Sequence, residues 1–140
     1  MSGDTVIGNA LQFTNDNKFA YAYSGAKTVT ATPSDLLTFQ TNSEYLVGQF
    51  KPQQAVAAAT GNDILVNIYF NDILIVGYVM GKNAFSEYDP AGTTETKLIV
   101  PPFTTVRVEM DNLSGGSDTM AVTFTAKVGM AQRVGNLDDQ

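Results

Sequence analysis

Alternation with a period of two runs through almost the whole chain and confines it to strands. From Met120 to Val128, Met120, Val122, Phe124, Ala126 and Val128 fall on one side. Ala121, Thr123, Thr125 and Lys127 fall on the other, which is the signature of a half-buried strand. Phe103 to Asp111 repeats the pattern, with Val106, Val108 and Met110 inward and Thr105, Arg107, Glu109 and Asp111 outward. Further strands are expected at Val6–Phe13, Phe19–Ser24, Lys27–Ala31, Leu36–Gln40, Tyr45–Phe50 and Lys97–Val100. Phe19, Tyr21 and Tyr23 share a face. Pro101-Pro102 must break the ladder, because neither residue can donate a hydrogen bond. Pro52–Thr60, where Gln53, Gln54 and an alanine run interrupt the alternation, is expected to be a loop, one that could make one or two helical turns. Turn chemistry separates the runs, at Asn15-Asp16-Asn17, Ser24-Gly25, Gly61-Asn62-Asp63, Asp89-Pro90-Ala91-Gly92 and Ser114-Gly115-Gly116-Ser117. The expected architecture is all-β: an antiparallel, jelly-roll-like β-sandwich of about eight strands with little helix.

Ile64–Met80 is the most informative segment. Asn71-Asp72 lies between two apolar runs, and both residues tolerate the positive φ of a two-residue type I′ turn. The turn pairs Phe70 with Ile73, Ile68 with Ile75, Val66 with Gly77 and Ile64 with Val79. The opposite face then carries Leu65, Asn67 and Tyr69 against Leu74, Val76 and Tyr78, five of the six apolar or aromatic. A solvent-facing surface is mostly polar, so another element of the chain or another subunit is expected to cover this one. Leu65, Tyr69, Leu74, Val76 and Tyr78 are therefore the candidate subunit-interface residues.

The chain has 140 residues, 44% hydrophobic and 16% charged, which suits one core. We expect a single β-sandwich domain over 1–131, with an N-terminal arm at 1–17 and a polar C-terminal tail at 132–140. Cysteine and histidine are both absent. No disulfide framework, thiolate metal site, imidazole ligand or Ser-His-Asp triad can be built. Eight basic against fourteen acidic residues leave a net charge of −6. The basic residues Lys18, Lys27, Lys51, Lys82, Lys97, Arg107, Lys127 and Arg133 are spread almost evenly, so neither nucleic acid nor membrane is an expected partner. The start lacks the basic and apolar regions of a signal peptide, and Ile73–Met80 is too short to span a bilayer.

Acid-base chemistry is left to carboxylates. Glu109 and Asp111 lie two apart on one strand face, but alternation of charge with Thr there reads as a solvated face rather than a glycosidase pair. The loops Asn15-Asp16-Asn17 and Asp111–Asp118 offer oxygens, yet neither has the spacing of a calcium loop, and Asn and Asp favour turns without metal. Gly115-Gly116 is followed by no helix and makes no phosphate cradle. Ser114 and Ser117 have no partner at a suggestive spacing. Tyr21, Tyr23, Tyr45, Tyr69, Tyr78 and Tyr88 could stack on sugars, although Trp is absent and strand tyrosines commonly pack. No catalytic, cofactor-binding or metal residue is assigned, and no enzyme activity is expected.

Leu98–Glu109, a strand, a di-proline corner and a strand of alternating Thr and Val, resembles small jelly-roll head decoration (capsid cement) and minor virion proteins of tailed bacteriophages. Leu37–Gly48 and the hairpin Ile68–Ile73 are similar in kind. The resemblance implies a non-enzymatic virion structural protein that stabilises the head by bridging capsid subunits. It implies a homo-oligomer, commonly a trimer, with the major capsid protein as partner. It also implies location on the capsid surface after assembly in the host cytoplasm. No functional residue carries over, since such proteins act by surface complementarity. The alternative is a carbohydrate-binding β-sandwich module for host adhesion, its tyrosines lining an exposed groove.

Overall fold

A computed structural model describes residues 10–55, 63–80 and 95–129. Among them run ten strands. They are β1 (Gln12–Phe13), β2 (Phe19–Tyr23), β3 (Lys27–Val29), β4 (Ser34–Gln40), β5 (Leu46–Gln54), β6 (Ile64–Phe70), β7 (Ile73–Met80), β8 (Thr96–Val100), β9 (Thr105–Asn112) and β10 (Asp118–Val128). One sheet has the order β1-β2-β10-β5-β8, with β3 also pairing β10, and the other has the order β4-β9-β6-β7. Every pairing is antiparallel. Without β1 and β3, chain order 1-8-3-6 faces 2-7-4-5, which is the double Greek key of a jelly roll. The expected fold class is the observed one.

The core forms because inward residues of both sheets are apolar. Phe39 of β4 meets Phe50 of β5 and Phe124 of β10 in a three-ring cluster, with centroid separations of 6.4, 4.8 and 4.6 Å. All three rings are buried. Gly48 makes room for them: a Cβ there would collide with the Phe124 ring and stand 2.9 Å from Ala126 Cβ. Lys27 ties the layers polar-wise, its Nζ donating to Leu36 O at 3.0 Å.

Several expectations need correction. β5 continues as strand through Pro52 to Gln54, where a loop is expected, and residues 56–62 lie outside the described residues. Among the described residues β8 pairs β5 as far as Phe50, so Pro52, which has no N–H to give, falls beyond the described part of that ladder. β9 starts at Thr105, and Phe103 belongs to the corner before it. β1 is confined to Gln12–Phe13, the rest of Val6–Phe13 being partly outside the described residues; within the expected arm, Leu11 is buried. The tail 132–140 and Tyr88 also lie outside the described residues.

The hairpin register is the most instructive correction. Asn71 and Asp72 both have positive φ, 52° and 66°, and Phe70 pairs Ile73 as a type I′ turn requires. Tyr69 then pairs Leu74, but the next pair is Ile68 with Val76, so a bulge inserts Ile75. Every later pair differs by one residue from the expected register: Val66 meets Tyr78 and Ile64 meets Met80. One extra residue exchanges the faces of the rest of β7.

Candidate functional site: an apolar rim and two unlike outer faces

Three chain-distant connections meet at one end of the sandwich. Thr41, just after β4, accepts a hydrogen bond on Oγ1 from Thr104 N–H at 2.8 Å and donates from Oγ1 to Pro101 O at 2.7 Å. Its own N–H donates to Thr104 O at 2.9 Å, and Phe103 N–H donates to Asn42 O at 2.8 Å. Thr105 N–H donates to Asn71 Oδ1 at 2.9 Å, while Asn71 N–H donates to Thr105 O at 2.8 Å. The β8–β9 corner is thus clamped between the β4–β5 connection and the β6–β7 turn.

This clamp holds Phe103 at φ 53° with 69% of its surface exposed. A bulky residue in the left-handed region stores strain of order 1–3 kcal/mol. Burial of the ring does not offset it. Beside the corner, the row Phe19–Lys127–Val47–Ile99 crosses the outer face of the six-stranded sheet at the same end. Ile99 is 61% exposed and Ile73, next to the hairpin turn, 65%. Ile73, Phe103, Ile99, Val47 and Phe19 therefore make a largely apolar rim at one end of the molecule, interrupted by Lys127 between Val47 and Phe19. Asp16 shapes its near edge: Oδ1 accepts from Thr14 Oγ1 at 2.7 Å and from Lys18 N–H at 3.1 Å, in the turn leading into Phe19. The Thr14 bond, then the Lys18 amide, hold the Asp16 carboxyl below its usual value.

The structure does not bring the five candidate interface residues to one surface. Leu65, Tyr69 and Leu74 face outward, half-buried or exposed, as expected. Val76 and Tyr78 are half-buried on the inner side, because the Ile75 bulge turned them there, and Tyr78 packs against the core. Tyr78 hydrogen-bonds Thr96 of the other sheet, yet burial dominates and pushes its phenol above the usual tyrosine value.

The outer faces of the two sheets differ. On the four-stranded sheet, Arg107 lies 4.0 Å over the Tyr69 ring and pairs with Asp35 at 3.0 Å, Asp72 at 3.5 Å and Glu109 at 3.5 Å. Its guanidinium is held above the usual arginine value, chiefly by the Asp35 bond. Glu109 Oε1 also accepts from Tyr69 OH at 3.3 Å and Asn67 Nδ2 at 3.4 Å. Glu109 is thereby engaged by three neighbours, whereas Asp111 Oδ1, its companion in the sequence, is buried with no partner. On the six-stranded sheet, Phe19, Tyr21, Tyr23 and Val47 point out alongside Lys51, Lys97 and Lys127. A shallow depression of about 730 Å³ runs over this face, its floor including Phe19, Tyr21, Gln49, Lys97 and Thr125. Lysines evenly spaced along the sequence converge here because each sits at an outward position of a strand. Neither the rim nor this convergence is visible without the strand order.

No protein-family model matches the chain, and no curated protein matches it. Among solved structures it is similar to a β-glucosidase from Paenibacillus barengoltzii, with a TM-score of 0.44, 9% identity and coverage of 89% of this chain but 12% of that one. It is similar to the Schizosaccharomyces pombe Cnp3 cupin domain, at a TM-score of 0.35 and 12% identity, over 92% of this chain and 69% of that one. It is also similar to the infectious bursal disease virus VP2 subviral particle protein, at a TM-score of 0.35 and 13% identity, over 78% and 30% of the two chains. The assignment of the fold rests on strand order and pairing, to which these distant likenesses add nothing.

Proposed function

We propose that this chain is a non-enzymatic virion structural protein, a capsid decoration or cement protein that sits on the head and bridges subunits of the major capsid protein. It works as a homo-oligomer, commonly a trimer in proteins of this kind, and joins the capsid surface after assembly in the host cytoplasm. The apolar rim carries this reading. A strained, exposed aromatic on a corner clamped between two other loops offers no benefit to the isolated fold, but it is a preorganised anchor for a pocket on a partner. Burying a few hundred Å² around Phe103, Ile99 and Ile73 is worth several kcal/mol at about 25 cal/mol per Å², before association costs. Repetition around a closed shell converts modest contacts into retention by avidity.

The test is sedimentation of the full chain with particles of the virus that encodes it. Stoichiometric co-sedimentation and raised heat resistance of the particles are the expected results. A chain that stays in the supernatant at saturating concentration overturns the reading.

A second reading is favoured by one observation, the depression lined by Phe19 and Tyr21 with Gln49 and Lys97 in reach. Aromatic floors with polar flanks suit sugar rings, and a carbohydrate-binding role in host adhesion would use them. Selective, saturable signal on a glycan array, lost in Tyr21→Ala, supports that role; a blank array removes it.

A further inference from the structure

The fold separates charge that the sequence mixes. Outward positions on the strands of the six-stranded sheet carry Lys51, Lys97 and Lys127 and no carboxylate, with Glu95 exposed just before β8 at the edge of the face. The four-stranded sheet presents Asp35 and Glu109 outward, with Asp72 at its hairpin turn, and Arg107 pairs with all three and leaves them in excess. Each face also exposes apolar side chains, Tyr21, Tyr23 and Val47 on the first, Leu74 and Val79 on the second. Lysines on one face and carboxylates on the other are complementary across copies and repulsive for either face against itself. Such a pattern favours a head-to-tail contact and disfavours a two-fold one.

We propose that copies of this chain associate head to tail, the lysine-bearing outer face of the six-stranded sheet of one copy lying against the carboxylate-bearing outer face of the four-stranded sheet of the next. The occupant is a second copy because the matching charge and the matching apolar strip are both present on this chain. Strands spaced about 4.8 Å apart make each face roughly 20 Å wide, so a single contact is small and weak. The two outer faces lie on opposite sides of the sandwich, so the contact repeats as an open stack and does not close a small ring. Asp72, with 87% of its side chain exposed, and the exposed Lys97 and Lys127 sit where solvent screens them in the free chain. The association therefore weakens with salt. This inference goes beyond the proposed function and depends on neither its trimer nor its capsid binding.

The experiment is sedimentation velocity on the full chain, without capsids, over a concentration series at low and high salt. Lys97→Glu/Lys127→Glu reverses one face and Asp35→Lys/Asp72→Lys the other, with circular dichroism confirming that both variants fold. The wild type is expected to associate at low salt and dissociate at high salt. Each variant alone is expected to associate at least tenfold more weakly, and an equimolar mixture to recover association, since each reversed face meets its complement. A wild type that stays monomeric throughout, association indifferent to salt, or variants that associate like the wild type overturn the inference. Should a variant fail to fold, the other variant and the wild-type salt series still decide. Association with no capsid binding would sink the decoration reading alone.

Discussion

Five phenylalanines separate into two regions that the same side chain serves in opposite ways. Phe39, Phe50 and Phe124 are fully buried and join the two sheets. Phe19 and Phe103 are exposed at one end of the sandwich, the second on strained backbone. Burial inside is a folding contribution, realised in every isolated molecule. Exposure at the rim leaves the same hydrophobic free energy unspent until something covers the ring. Stability and association should accordingly be separable by mutation.

The largest expected effect breaks the interior. Phe124→Ala removes a ring held by two others and should cost about 3–5 kcal/mol, read by urea or thermal unfolding. Gly48→Ala pushes a methyl into the same ring and should cost about 1–3 kcal/mol, although it adds apolar volume. At the rim the signs reverse. Phe103→Asn places a residue that tolerates left-handed backbone at φ 53°, so stability should hold or rise by up to about 1 kcal/mol while co-sedimentation with capsids falls at least tenfold.

Two pH effects sharpen the contrast. Tyr78 is buried with its phenol raised, so the folded state keeps a proton that the unfolded chain releases first. Its contribution is fully present below the ordinary tyrosine value and declines as pH rises beyond about 10. Tyr78→Phe should flatten the loss of melting temperature in that range. Asp16 has the opposite sign: its carboxyl is lowered, so its contribution is present above about pH 3.9 and lost on acidification through the lower folded value. Being fully exposed, it should have the smallest effect, a loosened turn before Phe19 seen as faster amide exchange at Lys18 in Asp16→Asn.

How far the sequence reaches follows from these same residues. β10 was legible because Phe124 and Thr125 differ in polarity, so the alternation names the buried side. β7 is apolar on both sides from Ile73 to Val76, and a strand without contrast cannot report a one-residue bulge. Alternation alone therefore places Val76 and Tyr78 outward. Pro101-Pro102 announced a break, but Phe is a strand former, and nothing in its chemistry signals positive φ at Phe103. That conformation is imposed by Thr41 and Asn42, about sixty positions earlier in the chain. The rim and the charged faces are properties of strand order, and alternation alone does not supply strand order.

Amide exchange on the capsid-bound chain, compared with the free chain, tests the central claim most directly. Docking through the rim predicts new protection at Asn42, Ile73, Ile99 and Phe103, with the Ser114–Ser117 turn unchanged. Protection confined to that turn, or none at the rim in particles that carry the protein, would contradict it.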